Sequence, residues 1–194
     1  MNKHLLNFTV LLLASFVRSV VAEEVVPVPA CNATVIHSDT VAAGNHPRSI
    51  AFVPNGKWVV VANEGNSNLF IYDVNKNTGT LSLVNPPVPT GLIPVSLAYS
   101  SNCKFAATAN HQDGTLSIFD VDAKNVLLNP LQTVLSGTIP ASGPRGVTFA
   151  PHNDFAASVN EFDRTVTVYK VNPCKGPFTF LASVPTGDLP QSIT

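Results

Sequence analysis

Apolar residues come along this chain in short bursts separated by turn chemistry, and no window of useful length repeats at helical spacing. In the first well-patterned stretch the alternation predicts a strand over Ser49–Phe52, a turn at Pro54-Asn55-Gly56-Lys57, a Val-rich strand over Trp58–Asn63 and a polar loop over Glu64–Asn68. A third strand is predicted over Leu69–Val74, a second turn over Asn75–Gly79 and a fourth strand over Leu81–Val84. The plan returns downstream, as Phe105–Asn110 with Thr115–Val121 and as Phe155–Asn160 with Thr165–Val171.

The bursts recur in register. His46-Pro47-Arg48-Ser49-Ile50-Ala51-Phe52, Ile93-Pro94-Val95-Ser96-Leu97-Ala98-Tyr99 and Gly143-Pro144-Arg145-Gly146-Val147-Thr148-Phe149 are variants of one segment. Each is followed by an Asn sixteen residues after its Pro (Asn63, Asn110, Asn160) and an aromatic twenty-five after it (Tyr72, Phe119, Tyr169). A fourth copy begins at Leu189-Pro190-Gln191-Ser192. Four short antiparallel strands per repeat, at a period near that of known blade arrays, predict an all-β chain built as a β-propeller. A β-sandwich has similar strands but no reason to repeat Pro, Asn and aromatic in register.

The repeats divide as 41–88, 89–138 and 139–185, with the start of a fourth at 186–194. Residues 23–40 form a lead-in, in which Val35–Val41 is expected as the outer strand of an incomplete blade, and Gln191–Thr194 is expected to open the first strand of a later one. Propellers close with about four to eight blades, and about three are present here. The chain is therefore expected to be a piece of a longer propeller, or to self-associate through open blade edges.

Upstream of the repeats, Lys3 and His4 precede an apolar run over Leu5–Val17, and Val20-Val21-Ala22 supplies small or aliphatic residues for cleavage. Residues 1–22 read as a signal peptide, because the run is shorter than the roughly 20 apolar residues of a membrane span. The mature chain is expected to be secreted or periplasmic, with no membrane partner after cleavage. Asn32-Ala33-Thr34 is a glycosylation sequon. Cys31 and Cys174 occupy one repeat position and Cys103 another, so with an odd number at least one thiol is unpaired within the chain. Charged residues make up 12% of the sequence and the formal net charge is −1, which argues against nucleic acid as a partner.

Blade topology turns repeat positions into places. Residues just after the Pro and just after the repeated Asn fall on one rim, near the mouth of the central channel. The first position reads Arg48, Val95, Arg145, Gln191 and the second Glu64, His111, Glu161. Arg can hold a carboxylate or phosphate through two parallel hydrogen bonds, and Glu or His can move a proton. The competing reading is a set of solvated or paired rim charges. Glu64, His111 and Glu161 come from separate blades with no dense ligand cluster, so no metal site is expected. The repeated Asn is expected to serve the backbone at a tight change of direction, and His37, His46 and His152 recur in no register.

The stretch Gly143–Pro151, followed by Ser158-Val159-Asn160-Glu161-Phe162-Asp163-Arg164-Thr165-Val166-Thr167-Val168-Tyr169, resembles the lactonase-type seven-bladed propeller family. That family includes propeller 6-phosphogluconolactonases and 3-carboxy-cis,cis-muconate lactonizing enzymes. Val60-Val61-Ala62-Asn63-Glu64 and Ala107-Thr108-Ala109-Asn110 also resemble YVTN propeller repeats. The resemblance implies catalytic roles for Arg145, on the substrate's anionic group, and for Glu161, in proton transfer or water attack. Arg48 and Glu64 repeat that pair, and with His111 are the expected substrate-binding residues. Lactonases often carry a His soon after the Pro of the blade before the Gly-Pro-Arg blade, and another after the Arg. Here those places hold Val95-Ser96-Leu97 and Gly146.

The function implied is hydrolysis of a small-molecule lactone, such as that of an anionic sugar acid, with no cofactor. The alternative is a non-catalytic extracellular propeller whose rim binds a protein or glycan.

Overall fold

The computed structural model describes residues 39–122, 127–172 and 178–194. The signal segment, the Asn32 sequon, Cys31, Cys174 and His37 lie outside them. Twelve strands fall into three four-stranded antiparallel sheets, each a simple meander. The first blade comprises β1 (Pro47–Phe52), β2 (Trp58–Asn63), β3 (Asn68–Val74) and β4 (Leu81–Pro89). The second comprises β5 (Pro94–Tyr99), β6 (Phe105–Asn110), β7 (Thr115–Asp122) and β8 (Leu127–Leu135). In the third are β9 (Pro144–Phe149), β10 (Phe155–Asn160), β11 (Thr165–Val171) and β12 (Phe178–Pro185). The chain is the expected all-β propeller, with β5 packed between β1 and β9 as the innermost strands of neighbouring blades.

Residues 39–44 and 191–194 adopt no strand, which corrects the expectation for Gln191–Thr194 and for the described end of Val35–Val41. A strand is held by the ladder of a neighbour, and among the described residues neither segment has one.

Burial follows strand parity. Trp58, Val60, Ala62, Leu69 and Ile71 of the first blade pack on Leu97, Ala106, Phe119 and Leu128 of the second. The opposite face of that second blade, Phe105, Ala107, Ala109, Leu116 and Ile118, packs on Val147, Ala156, Tyr169, Val171 and Phe178 of the third. Alanines in the second strands let the sheets approach, and the repeated aromatic fills the gap between them.

Side-chain hydrogen bonds tie the third blade to the second and the first blade to the segment that precedes it. The Tyr169 hydroxyl donates to the Leu135 carbonyl at the end of the previous blade, at 2.6 Å, and Tyr72 donates to the Ala42 carbonyl at 2.8 Å. Nearer the channel, the Leu97 N–H donates to Ser49 Oγ at 3.1 Å and the Val147 N–H to Ser96 Oγ at 3.3 Å. The third repeat has Gly146 at this serine position, and a Cβ there would lie 3.1 Å from Ile193 Cγ2. Its bare backbone lets the segment after Pro190 pass close by.

Candidate functional site

The repeated asparagines are fully buried and bind the turn that follows them. Asn160 Nδ2 donates to the Thr165 and Thr167 hydroxyls, and Asn110 Nδ2 to those of Thr115 and Ser117. Asn63 accepts the Gly44 N–H and donates to Asn68. Their role is to shape the rim that carries the next residue.

That next residue is clamped by the start of its own blade. The N–H groups of Glu64, His111 and Glu161 donate to the carbonyls of His46, Ile93 and Gly143, each at 2.9 Å. Those three carbonyls belong to the residues before the repeated prolines, all at positive φ of 50°, 57° and 65°. For His46 and Ile93 such a conformation is strained, and it persists because the clamp over-determines it. One residue later the pairing slips: Pro47 and Ser49, Pro94 and Ser96, and Pro144 and Gly146 are paired in β1, β5 and β9, which leaves Arg48, Val95 and Arg145 as bulge residues. A bulge re-aims its side chain away from the regular alternation. The first and third blades thus bring their post-Pro and post-Asn side chains together.

In the third blade this produces a close pair. Arg145 Nε donates to Glu161 Oε2 at 2.6 Å. His111 of the second blade reaches the same oxygen through Nε2 at 3.0 Å, and Gln191 Nε2 donates to Oε1 at 3.2 Å. Three side chains, from two blades and the following segment, therefore meet on the Glu161 carboxylate. The Arg145 hydrogen bond, aided by those from His111 and Gln191 and opposed by burial, lowers the Glu161 pKa from 4.5 to about 2. Glu161 is ionised at any ordinary pH. Since a carboxylate only accepts, His111 must carry its proton on Nε2, and its lone pair when neutral sits on Nδ1. Among the described residues, Nδ1 and both terminal nitrogens of Arg145 have no hydrogen-bond partner.

The other expected pair stands apart. Arg48 Nε meets Glu64 Oε2 at 2.9 Å, with the arginine half exposed, and neither residue bonds to His111, Arg145 or Glu161. Arg48 also lines a groove of about 420 Å³ on the first blade, together with Asp39, Ile50, Val59 and Tyr72. Among the described residues no group of three His, Cys, Asp or Glu side chains could hold a metal ion. Among the described residues Cys103 is a free thiol, packed against the core between the first two blades.

Phe162 and Gln191 join the site although their sequence positions implied no role there. The Phe162 ring stands edge-on to His111, with centroids 5.1 Å apart, and it covers Gly143, where a Cβ would lie 2.6 Å from the ring. The missing side chain at Gly143 was the available signal for Phe162. For Gln191 it was the repeat register, which gives it the Arg48 and Arg145 position.

A family model described as Lactonase, 7-bladed beta-propeller matches residues 28–93 and 135–192. No curated protein matches the chain. Among solved structures, a candidate 6-phosphogluconolactonase from Bacteroides uniformis is 21% identical at a TM-score of 0.70, over 75% of this chain and 43% of that one. The periplasmic gluconolactonase of Pseudomonas aeruginosa is 22% identical at a TM-score of 0.62, over 72% of this chain and 41% of its own. The WD40 repeats of RRP9 are 14% identical at a TM-score of 0.59, over 78% and 42%. At these identities the likeness concerns the fold. The chain spans less than half the length of the structures it matches. Among the described residues, no helix is long and apolar enough to cross a membrane.

Proposed function

The chain belongs to the lactonase family of seven-bladed β-propellers, and on that premise we propose that it binds and hydrolyses a lactone carrying an anionic group, such as that of a phosphorylated or carboxylated sugar acid. The observation that carries this reading is the Arg145–Glu161 pair. Arg145 spends Nε on Glu161 at 2.6 Å and keeps its two terminal nitrogens as a fork suited to a carboxylate or phosphate. Glu161, ionised and tied to three donors, holds that fork in place and compensates its charge when no substrate is bound. Arg48 and Glu64 form the corresponding pair two blades earlier, where Arg48 offers a second cation to a longer anionic substrate. The reaction takes water as its only co-reactant and no cofactor.

The signal-peptide pattern of residues 1–22 and the periplasmic location of the similar Pseudomonas aeruginosa protein support action outside the cytoplasm.

Arg145→Ala tests the reading. It should weaken an anionic lactone by about 2–3 kcal/mol, or roughly 30- to 150-fold in KM, while a neutral lactone loses far less. Acid release followed in a pH-stat reads both. A protein that opens no lactone would favour the non-catalytic rim-binding alternative, and an Arg145→Ala variant with unchanged KM for the anionic substrate would remove Arg145 from the binding site.

A further inference from the structure

The post-Pro and post-Asn positions pair within a blade wherever both are charged: Arg48 with Glu64, and Arg145 with Glu161. The second blade breaks the pattern. Its post-Pro residue is Val95, so His111 has no partner in its own blade and crosses to Glu161 of the next. The crossing ring is held on several sides. Its backbone N–H is clamped by the Ile93 carbonyl, Nε2 sits on the carboxylate, and the Phe162 ring packs against it at an interplanar angle of 64°.

A histidine with one nitrogen fixed by an ionised carboxylate and the other unpartnered is the arrangement in which imidazole serves as a general base. The carboxylate sets the tautomer and stabilises the imidazolium that forms. Glu161 itself is poorly suited to that task. Oε2 already takes two donors and Oε1 one, and a carboxylate with its pKa lowered to about 2 is a weak base near neutrality.

We propose that His111 is the base of this site, activating the hydrolytic water through Nδ1, with Glu161 as the residue that positions it. This rests on the lactone-opening reading above. As the water oxygen bonds to the lactone carbonyl carbon, Nδ1 takes a water proton and the carbonyl oxygen becomes an oxyanion. When the tetrahedral intermediate collapses, the bond between that carbon and the ring oxygen breaks. The ring oxygen leaves with the electron pair and takes the proton back from Nδ1, giving the hydroxy acid and neutral His111. Water is consumed, and nothing is oxidised or reduced.

Two substitutions separate a base from a structural contact. His111→Gln keeps a side-chain donor for Glu161 but cannot accept a proton, and His111→Ala opens space at the ring. Both should lower kcat about 10²- to 10⁴-fold with KM for the anionic lactone nearly unchanged. Added imidazole should restore part of the rate to His111→Ala but not to Arg145→Ala. His111→Gln at the wild-type rate, or a folded His111→Ala that imidazole does not rescue, overturns the assignment. If Arg145→Ala raises KM while both His111 variants keep full kcat, this inference fails and the lactone reading stands. A wild-type protein with no lactone-opening activity defeats both.

Discussion

Replacing Glu161 with Gln preserves the size of the side chain and removes the charge on which three groups converge. In the wild type, Oε2 accepts from Arg145 at 2.6 Å and from His111 at 3.0 Å, and Oε1 accepts from Gln191 at 3.2 Å. An amide oxygen at the Oε2 place keeps the first two contacts without charge assistance, a loss of about 1 kcal/mol each. The amide nitrogen then faces the Gln191 donor, which must turn away. Depression of the Glu161 pKa from 4.5 to about 2 gives an independent figure of roughly 3 kcal/mol at neutral pH. Water at the partly exposed Arg145 reduces this toward about 2 kcal/mol. Because the folded-state pKa is lowered, the stabilisation is fully present above about 4.5 and is lost as pH falls toward about 2. Urea unfolding should therefore place the midpoint of Glu161→Gln about 1 M below wild type at pH 7. At pH 3 more than half of the difference should be gone. Equal midpoints at pH 7, or a gap that does not narrow between pH 5 and pH 3, would refute the assignment of Glu161 as an ionised hub.

Two other substitutions examine the frame around the site. Gly143→Ala puts a methyl 2.6 Å from the Phe162 ring at a φ of 65°, so it should cost about 1–3 kcal/mol. Thermal unfolding would show this as a melting point lower by roughly 3–10 °C, and an unchanged value would count against the described rim packing. Tyr169→Phe removes the donor to the Leu135 carbonyl and should cost about 1 kcal/mol. No loss in chemical denaturation would show that this hydroxyl does not tie the third blade to the second.

Much of the framework is visible in the residues themselves. The bursts ending at Asn63, Asn110 and Asn160 mark β2, β6 and β10 to their last residue, because Val- and Ala-rich strands stop where an Asn can bind its own turn. The repeat register also puts Arg145, Glu161 and His111 on one rim, where they bond. What the register does not reveal is direction. Arg145 faces Glu161 because of a bulge after Pro144 and a positive φ before it. At His46 and Ile93 that φ falls on residues whose identity gives no warning of it. Nor does the sequence announce that His111 leaves its own blade. That follows from the absence of a polar partner at Val95 and from a geometry between blades that strand patterns do not encode. Other strand limits are less legible: β1 begins two residues before Ser49, and β4 runs on to Pro89 past the predicted Val84, since backbone pairing extends beyond the apolar burst.

Whether Arg145, Glu161 and His111 form one binding site for an anionic sugar acid is decided by a crystal structure with 6-phosphogluconate bound. The ligand should place an anionic group on the terminal nitrogens of Arg145, leave the Arg145–Glu161 contact intact, and set a carbonyl or carboxylate carbon beside Nδ1 of His111. Ligand density confined to the groove lined by Arg48, or lying on the rim without touching Arg145, would contradict it.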